Sequence, residues 1–275
     1  MNIEAIRELY DFHERKNAAY PGYRREQGER TVRMVSTRPE QDNAAETAHD
    51  FLIYSQLDDS NADTTIDAEL AWFSALGHKF EWKLYSHDRP ADLKSRLESR
   101  GFSIGADEAI MALELDPRSP LLAQPSNHDV RKVGFGASLE DYSEVNNQTW
   151  PEDASWIDIT ARILRDEPER MSAWVAYVDG KPVCAARIDF PVASPFASLW
   201  GGATLEPYRK RGIYTAILAA RAREAFDRGY RFLTIDASPM SRPIAARHGF
   251  RLLAISNPCD SPPSSSVVSK QIQKP

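Results

Sequence analysis

The run Arg209-Lys210-Arg211-Gly212-Ile213-Tyr214-Thr215 sets three consecutive cations and a glycine directly ahead of an apolar-periodic stretch that reads as a helix over 211–229. A helix start leaves backbone N–H groups without intrahelical partners and carries the positive end of the macrodipole. Phosphate oxygens fit such a place. Gly212 lets the backbone come close to a ligand, the Arg209 side chain has the reach of a phosphate, and the neighbouring cations raise the local potential. The chemistry suited to this spacing is the binding of a pyrophosphate. Two common phosphate loops are excluded, because neither Gly-x-Gly-x-x-Gly nor Gly-x-x-x-x-Gly-Lys-Ser/Thr occurs here. The plain alternative is a basic turn before an ordinary surface helix.

The cations are a local feature. Lys and Arg total 34 against 40 Asp and Glu, a net charge of −6, which argues against bulk nucleic-acid or membrane-surface binding. No apolar run approaches the length needed to cross a bilayer. The start, MNIEAIRELYDFHERK, carries acids where a secretory signal would be basic and then apolar. Of the two cysteines, Cys184 lies in an apolar stretch and Cys259 in a polar one, so a disulfide framework is not expected. These features suggest a reducing, cytoplasmic compartment. The six histidines are scattered without the spacing of a metal site, so no metal is expected.

The elements that must hold the loop follow a regular order. A short strand is expected over 128–135, then amphipathic helices over 138–150 and 154–166 separated by Pro151. Residues 171–190 read as a hairpin turning at Asp179-Gly180. A strand over 196–205 contains the pair Gly201-Gly202 and leads into the basic loop. After the helix come a buried strand (230–238), a short helix (241–248) ending at Gly249-Phe250, and a last strand (251–256). The order is β-α-α-β-β-β-α-β-α-β, an α/β (α+β) domain.

The first 116 residues repeat the plan more loosely, with a helix over 3–18, strands over 31–36 and 51–57, and a helix over 64–76. FEWKLYSHDRPADLKSRLESRGF (80–102) lines up with FLTIDASPMSRPIAARHGF (232–250): strand, polar turn with proline, short helix, Gly-Phe. A closing strand is expected over 110–116. The sequence thus divides into an N-terminal domain (1–116), a proline-containing linker (117–127), a catalytic domain (128–256) and a Ser/Pro-rich tail (257–275) that reads as disordered.

Arg209-Lys210-Arg211-Gly212-Ile213-Tyr214 resembles the Arg/Gln-x-x-Gly-x-Gly/Ala signature of the GNAT (GCN5-related) N-acetyltransferase superfamily. The approach through Leu205-Glu206-Pro207 and the Gly249-Phe250 ending also fall at that family's spacing. The resemblance covers about 127–256 and implies a mixed central sheet flanked by helices, here in two tandem halves with a degenerate first half. It implies acetyl-CoA as cosubstrate. The pantetheine arm would run along 200–205, contacting Ala203, Thr204 and Leu205, where two neighbouring strands splay apart. The pyrophosphate would meet Arg209, Lys210, Arg211, Gly212, Ile213, Tyr214 and Thr215. A primary amine of a small molecule or peptide would attack the thioester directly, with a strand amide near Ala203 or Thr204 polarising the carbonyl. No nucleic acid or membrane partner is implied, and an oligomer is compatible.

The chain departs from the pattern in three places. Tyr214 replaces the second Gly or Ala. The tyrosine that often protonates the leaving thiolate is absent, and Ala245 stands there; Ser238, Ser241 or water could serve instead, although each serine is also a natural helix cap. No motif fixes the general base, for which Asp236, Asp189, Glu152 and Asp153 are candidates. The first half has no counterpart of the basic loop. Two other readings stay open: a tandem transferase of longer acyl or aminoacyl groups, and a non-catalytic module that binds CoA.

Overall fold

The computed structural model describes residues 2–37, 50–123, 127–133, 138–151 and 155–263. The described chain divides into two compact units, one from Met111 to Arg251 and the other from Asn2 to Ile110 together with the described residues from Leu252 onward.

The N-terminal unit opens with helix α1 (Ile3–Tyr10), whose Asn2 side chain accepts from the Ala5 amide, continued by a π-helical turn, Asp11–Lys16. Three strands follow: β1 (Tyr23–Gln27), β2 (Thr31–Ser36) and β3 (Asp50–Ser55). Helix α2 (Ala62–Ala75), β4 (Phe80–Tyr85), α3 (Leu93–Ser99), the two-residue β5 (Ser103–Ile104) and β6 (Glu108–Glu114) come next. The strands run β1-β2-β3-β4-β12, where β12 is Arg251–Asp260, and β5 pairs with β12. β3 and β4 are parallel; the other neighbours are antiparallel. Trp82, Phe73, Phe80, Phe102 and Cys259 form the centre of one core, with Phe73 and Phe80 stacked at 4.0 Å between ring centroids. Each such side chain contributes about 1.5–3 kcal/mol through burial alone.

In the C-terminal unit the short helix α4 (Pro120–Ala123) precedes β7 (Asp129–Lys132), α5 (Ser138–Thr149) and α6 (Ser155–Asp166). The hairpin is β8 (Met171–Val178) and β9 (Lys181–Asp189), with Asp179 and Gly180 both at positive φ as the tight turn requires. Then come β10 (Phe196–Thr204), helix α7 (Ile213–Asp227), β11 (Phe232–Ala237) and α8 (Arg242–Arg247). The strand order is β6-β11-β10-β9-β8-β7. Tyr142 and Val145 of α5 pack with Ala173, Val175, Ala185 and Ala203. Ile213 and Ile217 of α7 pack with Ala176, Val183, Cys184 and Ala186.

Three expectations change. The stretch 117–127 contains helix α4, whose Leu121 and Leu122 are buried, and Arg223 of α7 donates to the Leu122 carbonyl. The chain does not turn to tail at 257: β12 continues to Asp260, with Ser256 opposite Tyr85 and Cys259 opposite Trp82. β12 also groups with the N-terminal unit from Leu252 onward. The charged strand β1, YRREQ, has too little apolar alternation to read as a strand and forms by pairing with β2.

Candidate functional site

The basic loop sits where one sheet opens. β10 and β11 pair in parallel over Phe196–Leu199 opposite Phe232–Ile235. On its other side β10 pairs with β9, and the register slips by one residue: Trp200 faces Arg187, but Ala203 faces Ala185. The extra residue falls at Gly201-Gly202 and makes a β-bulge. The Leu205 amide donates to the Val183 carbonyl at 2.9 Å. Polar groups alternate sides along an antiparallel strand, so the Ala203 amide points at β9 and the Thr204 amide points away from it. That is the side from which the β11 ladder has ended. The Thr204 carbonyl points the same way and accepts from Arg209 Nε at 3.0 Å.

After β10 the chain makes a 3₁₀ turn, Glu206–Tyr208, and enters α7 through Gly212 at φ +80. Ala216 is the first residue of α7 whose amide reaches a carbonyl, that of Gly212 at 3.0 Å. Among the described residues, the amides of 210–215 reach no backbone carbonyl. They form a set of open donors at the positive end of a helix of 15 residues.

The side chains divide the work differently from the sequence expectation. Arg209 clamps the loop to the end of β10. The Arg211 guanidinium lies 5.5 Å from the Tyr208 ring centroid. Lys210 and Arg211 are exposed. The Ile213 side chain is in the core, so only its amide faces the loop. Tyr214 packs on that core, and a Cβ at Gly202 would come within 2.8 Å of its ring. The glycine at 202 is therefore demanded by Tyr214 from within the protein. The Thr215 hydroxyl is 3.2 Å from His248 Nε2, and burial together with Arg247 lowers the His248 pKa, favouring the neutral ring. Cys184 accepts from the Thr204 hydroxyl at 3.1 Å, and burial pushes its thiol up to about 11. It is thus a protonated core residue at neutral pH, unsuited to attack a thioester.

The serines hold each other. Ser238 and Ser241 hydroxyls are 3.2 Å apart, and the Ser241 amide donates to Ser238 Oγ at 3.3 Å. Both serve the turn into α8. Asp236 is half-buried at the end of β11. Ala245 is buried. Glu152 and Asp153 lie outside the described residues. Asp189 is 5% exposed at the end of β9.

One residue that sequence reasoning missed is Arg221. It is 1% exposed, and its Nη1 donates at 2.9 Å to the carbonyl of Arg187, the β9 residue at the register slip. Its signal was the i, i+4, i+8 series Ile213, Ile217, Arg221, which puts an arginine on the buried face of α7.

The N-terminal unit carries the corresponding features in altered form. β3 and β4 pair only over Asp50–Leu52 opposite Phe80–Trp82, and the β2–β3 register slips beside Ile53. Here Arg15, 1% exposed, donates to the Ile53 carbonyl at 3.2 Å, to Asp11 at 2.9 Å and to Asp88 at 2.6 Å. Its guanidinium lies 3.7 Å from the Tyr85 ring centroid, and Asp11 also binds His87 at 2.8 Å. His87 and Asp88 thus both join this buried network. At the start of α2, the Asp58 carboxylate takes the amides of Ser60 and Asn61.

Residues 137–250 match the model of the acetyltransferase (GNAT) family. The C-terminal unit is a GNAT domain. No curated protein matches the chain. Among solved structures, a GCN5-related N-acetyltransferase from Kribbella flavida is 18% identical, with 88% of this chain and 90% of that one covered at a TM-score of 0.65. A functionally unknown conserved protein from Staphylococcus epidermidis is 15% identical, covering 88% and 95% at 0.66. A tandem GNAT protein from the clavulanic acid biosynthesis pathway is 12% identical, covering 95% and 87% at 0.58. At these identities the likeness is one of fold, and it extends over both units. Within the described residues no helix is long and apolar enough to cross a membrane.

Proposed function

We propose that the GNAT domain is an acetyl-CoA-dependent N-acetyltransferase that acylates a primary amine on a small molecule or peptide. The observation that carries this reading is the set of open amides over 210–215, next to the point where β10 and β11 part. The pyrophosphate would lie on those amides, with Lys210 and Arg211 supplying charge. The pantetheine would run along the freed side of 200–204, and the Thr204 amide would donate to the thioester oxygen as negative charge develops. Attack is direct, in keeping with a Cys184 thiol that stays protonated. The N-terminal unit takes no acetyl-CoA in this reading, since the turn leading into its matching helix already gives the Ser60 and Asn61 amides to its own Asp58 carboxylate.

Calorimetry with acetyl-CoA tests the proposal. The wild type is expected to bind one equivalent per chain, and Arg211→Glu, on an exposed side chain, to bind about tenfold more weakly. Gly212→Asp is a poorer probe, because positive φ at 212 strains any other residue. Turnover is then sought across polyamines, amino sugars and peptide amines. A folded wild type that binds neither acetyl-CoA nor a longer acyl-CoA would end the transferase reading. Binding without turnover on that panel would favour a CoA-binding module.

A further inference from the structure

The β-bulge in β10 decides which backbone amide shows at the opening. Trp200 stands opposite Arg187, whose guanidinium lies 5.9 Å from the Trp200 ring centroid, and Ala203 stands opposite Ala185. Arg187 and Ala185 are two residues apart on β9, so Trp200 and Ala203 share one face of β10 although they are three apart. In an uninterrupted strand they would lie on opposite faces, and a slip of one residue reverses the direction of every group beyond it. Without the bulge the Thr204 amide would turn to β9 and the Ala203 amide to the open side.

Helix α7 grips this bulge from one face with two side chains seven residues apart. The Tyr214 ring closes on Gly202, where a Cβ would come within 2.8 Å of it. Arg221, 1% exposed, donates from Nη1 to the Arg187 carbonyl at 2.9 Å and from Nε to the Ile217 carbonyl at 3.4 Å. No carboxylate among the described residues bonds to its guanidinium; the polar groups close to it are Tyr214, Cys184 of β9 and Tyr142 of α5. A buried cation without a counter-charge is costly, and its neighbours on the helix face, Ile213 and Ile217, are apolar. Stability alone would be served by leucine or methionine at 221. What the arginine adds is a donor at the strand residue where the register changes.

We propose that Arg221 is a positioning residue of the transferase, holding the bulge in the register that aims the Thr204 amide at the thioester oxygen. This rests on the transferase reading above. In this role Arg221 touches neither cosubstrate nor acceptor. Negative charge collects on the thioester oxygen as the amine attacks, and a donor displaced from it loses most of its effect. The open amides of 210–215 do not bond to Arg221, so binding and chemistry should respond differently to its removal.

The test measures acetyl-CoA affinity by calorimetry, and kcat with the fastest amine of the panel, for wild type, Arg221→Met and Arg221→Lys. Arg221→Met is expected to bind acetyl-CoA within about threefold of wild type and to lose about 30-fold or more in kcat. Its melting temperature should stay near that of the wild type. Arg221→Lys, which keeps a cation and a donor, should recover part of the loss. A methionine variant with wild-type kcat would make Arg221 a packing residue and overturn the proposal, whatever its melting temperature. So would a loss of kcat and affinity by the same factor, or a failure of both variants to fold. If only the lysine variant folds, it decides on the same terms. If the wild type binds acetyl-CoA but turns over no amine, amide NMR decides. A Thr204 signal that acetyl-CoA shifts in the wild type and not in Arg221→Met supports the assignment, and an equal shift in both overturns it. A wild type that binds no acetyl-CoA would strike the transferase reading, and this proposal with it.

Discussion

The two units begin their central helices in opposite ways. Before α7 the loop carries Arg209, Lys210 and Arg211, and the amides of 210–215 are open. Before α2 the loop carries Asp58 and Asp59, and Asp58 folds back to cap Ser60 and Asn61. Ser60 is the main reason the Asp58 carboxyl stays below its usual range. One helix start is thus left ready for an anion, while the other has supplied its own. The strand openings differ in the same sense. Beside Ile53 the N-terminal unit has buried Arg15 among Asp11, Asp88 and His87. In the GNAT domain the buried acid Asp189 has only a looser ion pair with Arg187, at 3.6 Å.

The comparison can be broken by mutation, and Arg15 gives the largest expected effect. Arg15→Met removes the cation from two carboxylates and should cost about 3–5 kcal/mol, read as a lowered melting temperature. Acid should act on the same network. Asp11 is held below the ordinary carboxylate range, with His87 and then Arg15 outweighing burial, so its stabilisation is present at neutral pH and fades as pH falls below 3.8. An Arg15→Met protein as stable as wild type would remove the structural role given to this unit's opening. Next comes Gly202→Ala, where the added methyl meets the Tyr214 ring. It should cost about 1–3 kcal/mol, most of it recovered in the double variant with Tyr214→Ala. Equal losses in both backgrounds would show that the glycine answers to something other than Tyr214. The smallest effect belongs to Asp58→Ala. It should lower the melting temperature slightly and leave acetyl-CoA stoichiometry at one per chain. A second equivalent would mean that the acid alone closes the N-terminal site.

Much of this contrast was written in local sequence. The helix start at Gly212, the Gly-Phe endings and the Asp179-Gly180 hairpin each depend on neighbours a few residues away, and those are legible in one dimension. What stayed hidden depends on distant partners. Arg15 gains its meaning from Asp88 and His87, far along the chain, and no spacing rule joins them. Residues 257–260, NPCD, carry a proline and two polar residues and become strand only because β4 pairs with them. The charge of Arg209 is visible in the sequence, whereas the Thr204 carbonyl that accepts from its Nε is not. The buried oxygen of Asp189 likewise exists only once burial and register are known.

The assignment of β12 bears on how the chain is made. The N-terminal unit counts residues 252–260 among its own, and Ser256 lies against Tyr85. A ribosome will have released all of residues 2–110 long before that strand exists. Until then β4 has an unfilled edge, the kind that invites pairing with the wrong chain. Synthesis therefore leaves the first half waiting for the second, and a protein cut after residue 110 should aggregate where the intact one folds.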